Sequence, residues 1–178
     1  MCRMMRTRSL DILKIMNQNL DRCERKFADF NEKLKKDLNG IKEYIVFWKD
    51  KDSVYLGCNQ LFADLIGVDS PDNIIGYSDA ELVENKKESQ IYKQRDLDVL
   101  NNGNGVSKTF EYCLNNGRSV VISKMPLLDD NKNILGILGA GIDITEEKKK
   151  TSDLEDSREL KFYSNRLQIA MKRFLESI

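Results

Sequence analysis

The sequence predicts an α+β domain, a five-stranded antiparallel sheet with short helices on one side, flanked by long N- and C-terminal helices. Three observations predict it. Apolar residues recur at three- and four-residue spacing over residues 9–39 and again towards the C-terminus, the period of a helix with one buried stripe. Between these arms, residues 41–145 carry five short apolar or alternating runs bounded by Gly, Asn and Asp, as strands and turns are. Two of the runs precede a helical stretch and three follow it in succession. Short connections make the last three antiparallel neighbours.

Residues 1–40 form the first arm. Leu13, Met16, Leu20, Cys23, Phe27, Phe30 and Leu34 alternate by three and four, a heptad seam of about three repeats. Gly40 follows Asn39 and supplies a stop. Either a single amphipathic helix on its own domain or a helix pairing with a second copy satisfies this pattern.

The middle zone, residues 41–145, has the size of one compact domain. Tyr44-Ile-Val-Phe-Trp48 reads as a buried strand, Asp50-Lys-Asp52 as a tight turn, and Val54-Tyr-Leu-Gly-Cys58 as the partner strand of a hairpin. Asn59 can cap a short helix, Gln60 to Ile66, closed by Gly67. Ser70-Pro71-Asp72 opens another helical turn that ends at Gly76, since Pro suits the first helical position. Lys86 to Leu100 is the longer helix. Val106 to Leu114, Ser119 to Leu128 and Ile134 to Ile144 complete the sheet, with Asn115-Asn-Gly117 as a hairpin turn and Asp129 to Asn133 as the next. Tyr77 to Ser89, polar and poorly periodic, is expected to be a lid.

Residues 146–178 lack Pro and Gly, and Leu160, Tyr163, Leu167, Ala170 and Phe174 restore the helical spacing. At 1.5 Å per residue a continuous helix here would be a rod of roughly 50 Å. Such a rod overhangs its domain and needs another partner.

Composition narrows the chemistry. The 178 residues contain 29 Lys plus Arg, 29 Asp plus Glu, four Cys, two Pro and no His. Without imidazole there is no Ser/His/Asp triad, Cys/His pair or His-ligated metal. No paired catalytic carboxylates, nucleophile with its base, or phosphate loop can be placed either, so no complete enzyme is expected within these residues. Charge balance argues against a nucleic-acid partner. Cys2, Cys23, Cys58 and Cys113 form no Cys-x-x-Cys, and four reduced thiols are expected. No export signal and no apolar run of about 18–20 residues is present, so no membrane span and a cytoplasmic location are expected. Gly136, Gly139 and Gly141 lie inside a strand pattern, where small residues allow close packing.

Several stretches together resemble the PAS sensor domains: Phe47-Trp-Lys-Asp50, Tyr55-Leu-Gly-Cys-Asn59 leading into Gln60 to Gly67, Asn73-Ile-Ile-Gly76, and Gly136 to Lys148 with its Asp143-Ile-Thr145 exit. The resemblance covers about Glu43 to Lys150. It implies a sheet and short helices enclosing a pocket for a small ligand, dimerisation through the preceding helix, and signal transfer along the following one. On that reading, residues 1–40 are the dimer helix, 41–145 the PAS sensor and 146–178 the signalling helix. The candidate pocket residues are Phe47, Phe62, Leu65, Ile66, Ile75, Leu82, Tyr92, Phe110, Tyr112 and Ile137, which could equally be plain core. Asp143 and Thr145 are the expected signal junction.

No His is present to serve as a haem ligand. Cys58 precedes the capping Asn59 rather than lying inside the helix, which argues against a photoadduct-forming flavin. An unknown small molecule stays open. The ending Lys172-Arg-Phe-Leu-Glu-Ser-Ile178 resembles the segment ahead of the phospho-accepting box of a two-component sensor histidine kinase. A homodimeric input module for such a kinase is the expectation. A ligand-free adaptor or scaffold, or the input of a cyclic-dinucleotide enzyme, are the alternatives.

Overall fold

Apolar residues on both faces of the central strands dictate a sheet covered on each side. In the computed structural model, residues 25, 28–38, 40–101, 108–114, 117–129, 131–150 and 156–177 are described. The chain separates into two compact units, Met1–Lys36 and Asp37–Ile178. Helix α1 covers residues 28–38. Of the expected N-terminal seam, Leu13, Met16, Leu20, Cys23 and Phe27 lie outside the described residues, while Phe30 is half-buried and Leu34 buried.

The sheet has five antiparallel strands: β1 (Ile45–Asp50), β2 (Tyr55–Cys58), β3 (Lys108–Cys113), β4 (Ser119–Leu128) and β5 (Ile134–Asp143), in the order β2-β1-β5-β4-β3. Between β2 and β3 come α2 (Gln60–Ile66), a 3₁₀ turn (Pro71–Ile74), α3 (Asp79–Leu82) and α4 (Lys86–Asn101). The turn chemistry follows the sequence. Asp50 Oδ1 accepts from the Asp52 and Val54 amides at 2.8 and 2.9 Å, closing the β1–β2 hairpin. Asp129 does the same for Asn131 and Asn133 in the β4–β5 connection.

Asn59 is the local keystone of the first half. Its Oδ1 accepts from Phe62 N at 3.2 Å, capping α2, and from Val46 N at 3.0 Å. Its Nδ2 donates to Ile41 O at 3.0 Å and Tyr44 O at 2.7 Å. One fully buried amide thereby ties α2 to the entry and second residue of β1. At the other end of α2, Gly67 takes the left-handed conformation at φ 79° and its N–H bonds Ala63 O, so the carbonyls of the last turn are satisfied.

The period-2 alternation sorts the strands into two faces. Ile45, Phe47 and Lys49 share one face with Ile122 and Lys124, the face that α2, α3 and α4 cover. Val46, Trp48, Val121, Met125, Leu127, Leu138 and Ala140 form the other, and all are buried.

The last helical zone departs from the expected overhanging rod. Its described parts are the helices α5 (Thr145–Lys150) and α6 (Asp156–Ser177). Helix α6 packs on the second sheet face, contacting β3, β4 and β5. Leu167, Ala170 and Met171 are buried there, and the Phe174 ring meets Tyr44 edge-on at 6.2 Å. The physical reason is area: strands apolar on both faces must be covered, and burying one large aliphatic side chain is worth about 1.5–3 kcal/mol. The stripe read as needing an outside partner finds one in the chain's own sheet. Short helices on one face and this longer helix on the other complete the α+β architecture.

Replacing Asn59 with Ala is expected to cost about 2–4 kcal/mol, because a helix cap is lost and buried backbone groups lose their partners. Urea unfolding followed by circular dichroism checks this. Asn59→Asp, which keeps the acceptor but not the donor, is expected to fall between wild type and Ala.

Candidate functional site

On the face shared by Phe47 and Lys124 the sheet does not close fully against its helices. A cavity of about 70 Å³, within about 560 Å³ of unfilled space that includes open solvent, lies between β1, β2, β3, β4, α2, α3 and α4. Its walls are rich in aromatic rings. Phe47 and Phe62 lie 4.8 Å apart, Tyr55 and Phe62 5.5 Å, and Tyr92 meets Tyr112 edge-on at 5.1 Å. Phe47 can lie flat over the sheet because its neighbour in β5 is Gly139, where a Cβ would come within 2.2 Å of Phe47 Cζ. This is the close packing expected of the small residues in β5.

Behind the rings is a buried cluster of four charges. Lys49 of β1 and Lys124 of β4 project from the sheet with side chains no more than 3% exposed. Asp96 of α4 reaches both: one carboxylate oxygen accepts from Lys49 Nζ at 2.8 Å and the other accepts from Lys124 Nζ. Asp79, the first residue of α3, accepts from Lys49 Nζ through Oδ2 and from the Tyr55 hydroxyl through Oδ1 at 2.8 Å. Two ammonium groups thus meet two carboxylates. Burial by itself would raise the Asp96 carboxyl, but the adjacent Lys124 and Lys49 ammoniums outweigh it and hold the group below the ordinary aspartate value.

The surrounding hydroxyls are held neutral. Burial, reinforced by Asp79, pushes the Tyr55 phenol well above its ordinary value. Burial also pushes Tyr92 and Tyr112 up to about 12, with Arg95 offsetting part of the effect at Tyr112. The Arg95 guanidinium lies against the faces of Phe110 and Tyr112, 4.8 and 4.4 Å from the ring centres. Cys58 ends β2, is buried, and burial pushes its thiol to about 12, so little thiolate exists at neutral pH.

Seven of the expected residues line this cavity: Phe47, Phe62, Leu65, Ile66, Leu82, Tyr92 and Tyr112. Three do not. Ile75 is 40% exposed, because the preceding 3₁₀ turn directs Ile74 inward instead. Phe110 packs against the edge of the core under Arg95, outside the lining. Ile137 is fully buried opposite Lys49 in the β1–β5 register and lies away from the cavity.

Sequence reasoning missed Tyr55, Asp79 and Lys124, which line the cavity, and Lys49 and Asp96 behind them. A signal existed: Lys49 and Lys124 interrupt apolar strand runs at inward positions, and a buried Lys requires a carboxylate. Asp96 falls four residues after Tyr92 and three before Val99, on the inward stripe of α4. Asp79 also lies within the segment expected to be a lid; its side chain is pinned to Lys49 and Tyr55.

At the junction, Asp143 Oδ1 accepts from Thr145 N at 2.9 Å, and Thr145 Oγ1 accepts from Ser119 N at 2.9 Å. Arg118 Nε donates to Asp143 Oδ2 at 2.9 Å. Burial would raise the Asp143 carboxyl, but the Thr145 hydrogen bonds and Arg118 hold it low. These bonds tie the start of α5 to β4 and β5. Among the described residues, no cluster of three or more His, Cys, Asp or Glu could hold a metal ion, and no helix is long and apolar enough to cross a membrane.

Asp96→Asn is expected to destabilise the fold by about 3–5 kcal/mol, since two buried ammoniums lose their shared charge. The folded carboxyl titrates below the unfolded value of about 3.9. Its contribution is therefore complete above that pH and is lost as pH falls through the folded pKa. Urea midpoints from pH 7 to pH 2 should show a shallower acid limb for the variant.

Comparison with known proteins places this geometry. A family model described as a PAS fold matches residues 38–149, more than half of the chain. No curated protein matches the sequence. Among solved structures, the PAS domain of BvgS from Bordetella pertussis superposes with TM-score 0.58 at 24% identity, over 74% of this chain and 98% of that one. VqmA of Vibrio cholerae, a LuxR-type receptor solved as a dimer without its target DNA, matches with TM-score 0.51 at 25% identity, over 58% of this chain and 47% of VqmA. A phage VqmA–DPO complex matches with TM-score 0.53 at 22% identity, over 76% of this chain and 59% of that one. The chain spans about half the length of these VqmA proteins. The five-stranded order, the helices enclosing one sheet face and the matched span together establish that the chain belongs to the PAS family.

Proposed function

We propose that this chain is a sensory module that binds a small molecule between its sheet and its short helices and passes the change to an effector. The observation that carries this reading is the cavity itself: aromatic walls, a mouth open to solvent and a charged cluster behind, the general form of a small-ligand site. A core needing only stability would close over such a space, because an empty apolar void forfeits packing.

The sheet offers a short route outward. Consecutive residues of β4 point to opposite faces, so Lys124 lines the cavity while Ser123 faces α6. Ser123 Oγ lies 2.6 Å from Thr109 Oγ1, which lies 2.8 Å from Ser164 Oγ on α6. A shift of β4 on ligand entry therefore bears on α6 as well as on the Asp143–Thr145 junction. The proposed assembly is a homodimer, and the proposed effector is a sensor histidine kinase, a reading supported by the Lys172 to Ile178 segment. A DNA-binding receptor is a second reading, favoured by the likeness to VqmA at 25% identity. The sequence encoded after Ile178 decides between them.

Native mass spectrometry of the gently purified chain is expected to show a retained small molecule; a clean apo mass from several expression hosts would count against sensing. In a protein carrying its effector, Asp143→Ala is expected to lower ligand-dependent output several-fold while leaving ligand affinity unchanged. Unchanged output would remove Asp143 from the transmission route.

A further inference from the structure

We propose that the outer face of α6 docks on the acidic surface of residues 64–84 in a second copy of the chain, joining copies head to tail. This contact needs no ligand and uses surfaces other than the N-terminal helix.

The charges of the chain balance in total but not in place. Residues 160–175 hold Lys161, Arg166, Lys172 and Arg173 and no Asp or Glu. All four cations are exposed, and none makes an ion pair among the described residues. Between them Phe162 and Ile169 stand 57% and 53% exposed. Seven residues separate the two, which places them on one side of the helix about 10.5 Å apart.

The surface of residues 53–85 is the reverse. It holds no Lys or Arg, and Asp64, Asp69, Asp72, Glu81 and Glu84 are exposed. Among them Ile75 and Tyr77 are 40% and 47% exposed. They are fixed at the outer edge of β2, where Gly76 N donates to Tyr55 O and Tyr55 N donates to Tyr77 O, both at 2.9 Å. Single exposed apolar residues are ordinary. A pair set among charges of one sign, with a second pair set among charges of the other, has the apolar centre and polar rim of two matching halves of an interface.

The two halves cannot meet within one chain. Helices α2 and α3 lie on the cavity side of the sheet, whereas α6 lies over β3, β4 and β5 on the opposite face. Neither half suits its own image, because α6 against α6 sets cations against cations and the acidic surface against itself sets carboxylates against carboxylates. A second copy supplies the opposite charge in both cases. Since the halves sit on opposite faces, each contact leaves one of them open at either end, the condition for a ring or an open row rather than a closed pair.

Sedimentation velocity of the full chain over a concentration series tests this at about 0.01 M salt, where charges act over roughly 30 Å, and at about 1 M, where they act over roughly 3 Å. At low salt the average mass is expected to rise with concentration to more than about twice its dilute value, as an unclosed contact allows. At high salt it should stay at the dilute value. Arg166→Glu with Arg173→Glu reverses one half, and Asp64→Lys with Asp69→Lys and Glu84→Lys reverses the other. Every changed side chain is exposed, so circular dichroism should match wild type. Each variant alone is expected to keep its dilute mass, and an equimolar mixture to associate again. A mass independent of concentration at low salt, growth that survives high salt, association of either variant alone, or a mixture no heavier than its parts overturns the proposal. The wild-type salt series reads it without any substitution.

Discussion

Two lysines set inside the sheet determine how the helices of its covered face must sit. Lys49 and Lys124 are carried into the interior by strands whose other residues are apolar, and an ammonium there is tolerable only beside a carboxylate. Asp96 meets both, which fixes α4 along its length and about its axis; Asp79 meets Lys49, which fixes the start of α3. Such a cluster adds little net stability over apolar packing, but any other docking of these helices would strand a buried charge. The cavity adjoins this cluster. Asp79 and Lys124 of the cluster line it together with the aromatic rings.

The two faces of the sheet divide the work. One face carries the cavity and the charge cluster, and the other, where Val121, Leu127, Leu138 and Ala140 are buried, carries α6. Strand β4 belongs to both, since Ser123 and Lys124 are neighbours on opposite sides. The hydroxyls of Ser123, Thr109 and Ser164 are polar contacts in an otherwise apolar contact zone, so they specify where along the sheet α6 rests. The junction adds a second tie through Asp143, Thr145 and Arg118. A PAS domain built this way has its exit helix in contact with the strand that forms its pocket wall.

Much of this fold was legible in the sequence because its signals are local. The five strands fall where period-2 runs and turn residues place them, Asn59 caps α2, and Gly67 closes it. Most of the aromatic and aliphatic cavity lining was legible too, since inward positions of strands and helices follow from their periods. The errors are instructive. Ile74 and Ile75 are adjacent and equally apolar, and only the geometry of the 3₁₀ turn decides which one points inward. Ile137 and Phe110 have the right face but the wrong place along it, which pairing register and the position of α4 determine.

The sequence by itself determined the α+β class and the order of elements, because each is written in spacing a few residues long. Only the tertiary structure decided that Lys49, Asp79, Asp96 and Lys124 converge and that α6 covers the chain's own sheet. Those facts join residues tens of positions apart, and no local period records which buried charge meets which, or which of several apolar surfaces an amphipathic helix will cover.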